Sequence, residues 1–299
     1  MPVYEQTYRH YEGVYRPRTL IWTIIASRGI RRVWQTKWFK MVLFFCLAPF
    51  LIRAIQIYLS VNLELLQWMG FPAQQVEELL AIDDLFYLNF LQSQMFACFL
   101  ITLIAGADLI ASDRRTKALT LYLSKPITRL DYLFGKGAVA LTYLYGVTLI
   151  PALLLMFLYA FFHEDWGYFW SQRTLFLRIV VYSHVLVLPM VLMILAVSSL
   201  SKSKVNSVVM FCVIYLIPLA LCNILRETLD DPIITRFIPR DFWSLFCIQN
   251  IWAQLGNTVF HQDLPYEMHW MWYAAGMAVV WILCGWVLHR QIQAVEVVK

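Results

Sequence analysis

Residues Ser112–Gly137 read SDRRTKALTLYLSKPITRLDYLFGKG and lie between two long apolar runs. The stretch carries Arg114, Arg115, Lys117, Lys125, Arg129 and Lys136 against only Asp113 and Asp131. A basic loop between apolar stretches of membrane length marks the cytoplasmic side of a bilayer, because positively charged loops are retained there. The segment also reads as folded. Ser112 or Asp113 can cap a helix whose Leu119, Tyr122 and Leu123 form an apolar stripe. Pro126 stops that helix, since the residue before a proline disfavours helical geometry. Thr128 with Asp131 has the spacing of a capping box for the next helix. Two short helices with basic and apolar faces make either a knob for a groove on a soluble partner or a self-contained loop resting on lipid headgroups.

The flanks decide the class. The chain has 299 residues, of which 61% are hydrophobic and 14% charged, where soluble domains carry about 25% charged residues. Its mean hydropathy is +0.62. A spanning helix needs about 20 largely apolar residues, and six runs qualify: 41–61, 89–111, 138–162, 175–200, 205–225 and 269–289. The expected fold is therefore an all-α polytopic membrane protein with six transmembrane helices. Residues 1–40 form a cytosolic arm, and 41–299 form one membrane domain.

Charge fixes the expected orientation. The arm, the 112–137 loop, the turn with Lys202 and Lys204, and the tail with Arg290 and Lys299 hold 18 of the 24 Lys/Arg. The opposite loops hold 13 of the 19 Asp/Glu. Only the Lys/Arg bias orients a chain, and it places both termini in the cytoplasm. Trp34 and Trp38 precede the first span, and Trp68, Trp166, Trp170, Trp243, Trp252, Trp270 and Trp272 sit in or beside the outer loops, as in an interfacial aromatic belt. The net charge of +5 is divided among loops rather than gathered in one patch, so no nucleic-acid partner is expected. No opening apolar run marks a secretory signal. The chain has no N-x-[ST] acceptor, which fits a bacterial inner membrane.

Between Arg28 and Trp38, Ile30, Val33, Trp34 and Trp38 share one helical face and Arg28, Arg31, Arg32 and Gln35 the other. That pattern suits an interfacial amphipathic helix or a cytosolic extension of the first span. The outer loop from Arg226 to Met268 is too apolar for a solvated linker and too polar for a span, so a helical cap that dips into the bundle is expected. Pro49, Pro151, Pro189 and Pro218 interrupt four spans. Arg53 stands in the first span, with Asn89, Gln92 and His184 as candidate partners. It is either a contact for an anionic substrate or a structural, snorkelling arginine. Arg53, Gln92 and His184 are the candidate pathway residues, and Asp108 is expected near Arg114 or Arg115. The six cysteines form no C-x-x-C pair and read as buried small hydrophobes rather than as metal ligands. The chain shows no H-E-x-x-H, no G-x-S-x-G and no G-x-x-x-x-G-K-[ST]. It is therefore not expected to be an enzyme, and any uphill work must draw on another polypeptide or an ion gradient.

The stretch IASDRRTKALTLYLSKPITRLDYLFGKG resembles the signature of ABC transporter type-2 permeases. Asp113 stands at the acidic position after the second span, and Leu121, Leu123, Ser124, Pro126, Ile127, Arg129, Gly135 and Lys136 match the rest. The six-span layout is similar to that family over nearly the whole chain. The resemblance implies a half-transporter: two permease copies, identical or related, and two separate ABC ATPase subunits that carry the ATP. The 112–137 loop would be the cytosolic coupling helix, with Asp113, Arg114, Arg115, Leu119, Tyr122, Pro126 and Arg129 as coupling residues. The expected function is export of a substrate. The alternative is a non-transporting membrane scaffold that passes ATPase-driven motion to an extracytoplasmic assembly through the outer loop.

Overall fold

The computed structural model describes residues 21–62, 80–118, 127–228 and 240–292. Leu119, Tyr122 and Pro126 lie outside the described residues. Among the described residues every regular element is helical. Six helices among the described residues are long and apolar enough to cross a membrane: Lys37–Val61, Asp84–Arg115, Arg129–Phe162, Arg173–Leu200, Lys204–Arg226 and Trp270–Gln291, here spans 1 to 6. The chain is a multi-pass membrane protein. One end of the bundle gathers Lys/Arg and is called the basic end; the other is the acidic end.

Spans 2 and 4 form the centre, with 67% of their most apolar windows buried, whereas spans 1, 5 and 6 bury only 11–17%. The peripheral spans keep apolar side chains such as Phe44, Ile52, Val209, Ile224 and Ile282 on the outside, as lipid solvation allows. Span 3 starts nine residues earlier than apolarity alone indicates, which at ~1.5 Å per residue adds about 13 Å at the basic end. The capping box accounts for this. Thr128 Oγ1 accepts from the Asp131 amide, and the Asp131 carboxylate accepts from the Thr128 amide.

The prolines act in two ways. Span 1 breaks at Leu47 and span 3 at Thr148, so Pro49 and Pro151 sit in the first turn of a fresh helix, where a missing N–H costs nothing. Pro189 and Pro218 lie inside their helices and deprive a carbonyl one turn back of its donor. The segment between spans 5 and 6 supplies one substitute donor. It folds into a 3-10 turn, Arg240–Phe246, and a helix, Ile248–Val259, packed among spans 2, 4, 5 and 6. The Trp252 indole N–H donates to the Val185 carbonyl at 3.0 Å, the acceptor that Pro189 orphans. Gln249 donates to the Tyr215 carbonyl at 2.9 Å, next to the Ile214 carbonyl that Pro218 orphans, and so ties the segment to span 5 at its proline.

This outer helix approaches span 4 closely at Gly256, where a Cβ would lie 2.6 Å from the Tyr182 ring. The expected helical segment between spans 5 and 6 is thus present and reaches deep into the bundle, and Trp252, counted above with the aromatic belt, is fully buried. At the acidic end Arg226 pairs with Asp241 at 3.1 Å and lies over the Tyr266 ring. Burial pushes the Cys247 thiol and the Tyr266 hydroxyl above their ordinary pKa values.

A helix, Ile21–Trp34, precedes span 1 and ends at a break around Thr36, short of the Trp38 expected from its two-faced pattern. It docks on the start of span 3. Gly29 lies against Val139 and Ile25 against Gly135, each too close for an added Cβ, and Tyr143 donates to the Ile30 carbonyl at 2.6 Å. Arg28, Arg31 and Arg32 are exposed, as are Trp34 and Trp38.

Candidate functional site

The 112–137 motif begins inside span 2. Residues 102–106 form a π-helical turn, 107–110 an irregular turn, and Ala111–Arg115 the last helical segment. Lys117 then takes φ 57°, a left-handed conformation that ends a helix. Ser112 and Asp113, read above as caps that start a helix, are therefore in the final turn of one. Ser112 Oγ donates back to the Asp108 carbonyl at 2.7 Å.

The irregular turn leaves the Ile110 and Ala111 amides without helical acceptors. Ser198, near the basic end of span 4, fills the gap. Its hydroxyl accepts from both amides at 3.0 Å and donates to the Ala107 carbonyl at 2.9 Å. Ser198 is fully buried, so these three bonds replace hydration that the interior cannot supply. Arg114 adds a second tie, donating to the Ser199 carbonyl. Span 2 is thus fastened to span 4 at its break.

Asp113 fastens span 2 to span 3. Its Oδ2 accepts from the Tyr132 hydroxyl at 2.8 Å and from Lys136 Nζ at 2.7 Å. The Asp113 and Lys136 side chains are each only 13% exposed, and the ammonium also lies 5.6 Å from the Tyr132 ring centroid. Tyr132 and Lys136 are one helical turn apart, so both face the same carboxylate. In such a site removal of one partner strands a buried charge, which makes the pair a rigid joint.

The remaining sequence-derived residues fall into two groups. Arg115 and Arg129 are exposed and available to a partner, while Arg114 is half-buried and spent on span 4. Arg53, Gln92 and His184 engage separate partners. Arg53 donates to Gln56 one turn along its own helix at 2.7 Å and lies 5.0 Å over the Phe86 ring, rather than pairing with Asn89, Gln92 or His184. Gln92 meets the Tyr182 hydroxyl. His184 Nδ1 lies 2.7 Å from the Val180 carbonyl, and its ring is 5.2 Å from Tyr145. Asp108 pairs with Arg32 of the N-terminal helix at 3.7 Å, not with Arg114 or Arg115.

Tyr132 and Ser198 were not singled out from sequence. Tyr132 could have been, since it precedes Lys136 by four residues and so shares a helical face with it. Ser198 carried no local signal.

A family model described as ABC-2 family transporter protein matches residues 27–290. Comparison with curated proteins gives no match.

Proposed function

The chain belongs to the ABC-2 transporter family, and from that membership we propose that it is the membrane-spanning permease subunit of an ATP-driven exporter. Members of this family are membrane subunits that work with ABC ATPase subunits. In this reading two copies, or this chain and a related one, form the pathway, and two ATPase subunits bind and hydrolyse the ATP. The basic end faces the cytosol of a bacterial inner membrane, with both termini inside, since the Lys/Arg bias sets orientation.

The observation that carries the reading is the pair of ties at the root of the basic loop. Asp113 to Tyr132 and Lys136, and Ser198 with Arg114 across to span 4, join the loop to three spans at once. A soluble motor pushing there moves helices rather than a slack connection. Arg115 and Arg129 serve as contacts for the ATPase, together with Leu119, Tyr122 and Pro126. Asp113 and Arg114 act as internal transmitters. Arg53, Gln92 and His184, each held by a partner within the chain, are the polar groups assigned to the pathway.

The transport reading is favoured over a scaffold by the outer segment. Its Trp252 and Phe260 rings are turned into the bundle, leaving Phe246 and Leu264 as its exposed large apolar side chains among the described residues.

Charge reversal tests the proposal. Arg115→Glu with Arg129→Glu changes two exposed side chains, so the thermal midpoint should move little. Co-purification with the ATPase and the hydrolysis stimulated by the permease should each fall at least about tenfold, the ~1.4 kcal/mol or more expected when charged contacts are reversed. Unchanged co-purification and unchanged stimulation would overturn the docking surface.

A further inference from the structure

A second site lies beside the coupling joint and shares Lys136 with it. A polar pocket of about 210 Å³ opens where the N-terminal helix, the π-turn side of span 2, span 3 and the first turn of span 5 converge. Arg32, Thr36, Asp108, Ser112, Lys136 and Lys204 supply its polar lining. Its formal charge is unbalanced. Arg32, Lys136 and Lys204 bring three positive charges, against Asp108 in the pocket and Asp113 behind Lys136. One positive charge is left over.

The pairing is also loose where the pocket is open. Arg32 is 73% exposed and reaches Asp108 only at 3.7 Å, in contrast to the 2.7 Å Asp113–Lys136 contact beside it. Lys204 opens a helix of 25 residues, so the first amides of that helix add a partial positive charge on the same side. The Thr36 hydroxyl adds a further donor for tetrahedral oxygens.

We propose that this pocket binds a phosphate group, carried either by a phospholipid of the adjoining leaflet or by a soluble phosphate anion. A phosphodiester carries one negative charge and balances the surplus. A bound phosphate would bridge Arg32 on the N-terminal helix to Lys204 on span 5 and draw both toward the Asp113–Lys136 joint. The site does not depend on ATPase docking or on the membrane orientation, since phosphodiesters line both faces of a bilayer.

The test uses the full-length protein, delipidated in detergent, with thermal midpoint and retained lipid measured by native mass spectrometry. The probes are mixed micelles containing phosphatidylglycerol or phosphatidylcholine, and sodium phosphate at matched ionic strength. Saturable binding of phosphatidylglycerol or phosphate is expected, weakened at least about tenfold by Arg32→Gln with Lys204→Gln, as loss of charge-assisted bonds requires. Lys202→Gln, on an exposed neighbour, should bind as the wild type does.

Asp108→Asn should tighten binding about two- to fivefold by removing the competing carboxylate, an effect the size of a partly exposed ion pair. That gain also separates a true site from damage to the fold. A shift with phospholipid alone assigns the lipid as source, and a shift with sodium phosphate that competes with phosphatidylglycerol assigns the soluble anion. Equal binding by wild type and the Arg32/Lys204 variant, or weaker binding by Asp108→Asn, overturns the proposal.

Discussion

Trp252 stands in for an amide that Pro189 cannot provide. Its indole donates to the Val185 carbonyl at 3.0 Å inside the bundle, where both the ring and the proline are buried. Trp252→Phe keeps most of the ring and removes the donor. An interhelical hydrogen bond in a membrane bundle contributes about 0.6 kcal/mol on average and up to about 1.7. Leaving a buried carbonyl unpaired puts the loss toward the upper end of that range. Smaller ring volume adds to it through a packing defect.

The informative experiment is a double-mutant cycle with Pro189→Ala, which returns an N–H to position 189 in register with Val185. Trp252→Phe should then cost about 1 kcal/mol less in the Pro189→Ala background than in the parent. The entropy that proline removes from the unfolded chain is common to both arms and cancels. Reversible unfolding in mixed micelles reads the difference directly, and a thermal scan should show it as about 2 °C. If Trp252→Phe costs the same in both backgrounds to within about 0.3 kcal/mol, the indole is not replacing the missing amide.

Asp113→Asn should destabilise the protein by about 3–5 kcal/mol, because Lys136 is left buried without its carboxylate. Asp113→Leu with Lys136→Met should recover much of that stability but not permease-stimulated ATP hydrolysis; full recovery of both would remove Asp113 from coupling. Gly256→Ala forces a Cβ to within 2.6 Å of the buried Tyr182 ring. It should cost about 1–3 kcal/mol as an overpacking change, and a neutral thermal midpoint would show that the outer helix is not seated against span 4. Cys247 is buried with a raised thiol pKa. Its reaction with a maleimide should stay slow at neutral pH and accelerate only above the ordinary thiol range, so rapid labelling at neutral pH would contradict its burial. Orientation is better read at Asp263→Cys and Lys202→Cys, both exposed: an impermeant maleimide on intact spheroplasts should label the first and spare the second, and the reverse pattern would invert the topology.

The six spans were legible because a bilayer imposes a length and an apolarity that any run of residues either meets or fails. The Thr128–Asp131 capping box was legible because both partners lie within four residues. The outer helix was legible as a class, through its mixture of apolar and polar residues, but its depth was not. That depth depends on Trp252 finding Val185, 67 residues away. The role of Asp113 shifted for the same reason. As an acid at the start of a basic stretch it looks like a cap, and only the proximity of Tyr132 and Lys136 makes it the partner of a buried ammonium. Ser198 reaches its amides across 87 and 88 residues, beyond any local pattern. The partner of Arg53 was missed differently: its acceptor Gln56 is three residues on, in plain view of helical geometry, while more distant polar groups were considered instead.

The π-turn at 102–106 stores one surplus residue in the helix that ends at the 112–137 motif. Were that residue absorbed, so that the helix ran on with ordinary winding, everything beyond it would turn by about 100° and advance by about 1.5 Å. Asp113 would swing off Lys136, and the Ser198 hydroxyl would lose its two amides to neighbours in their own helix. The motif therefore sits at the end of a screw with a spare thread, and the serine is the pin that keeps it from being taken up.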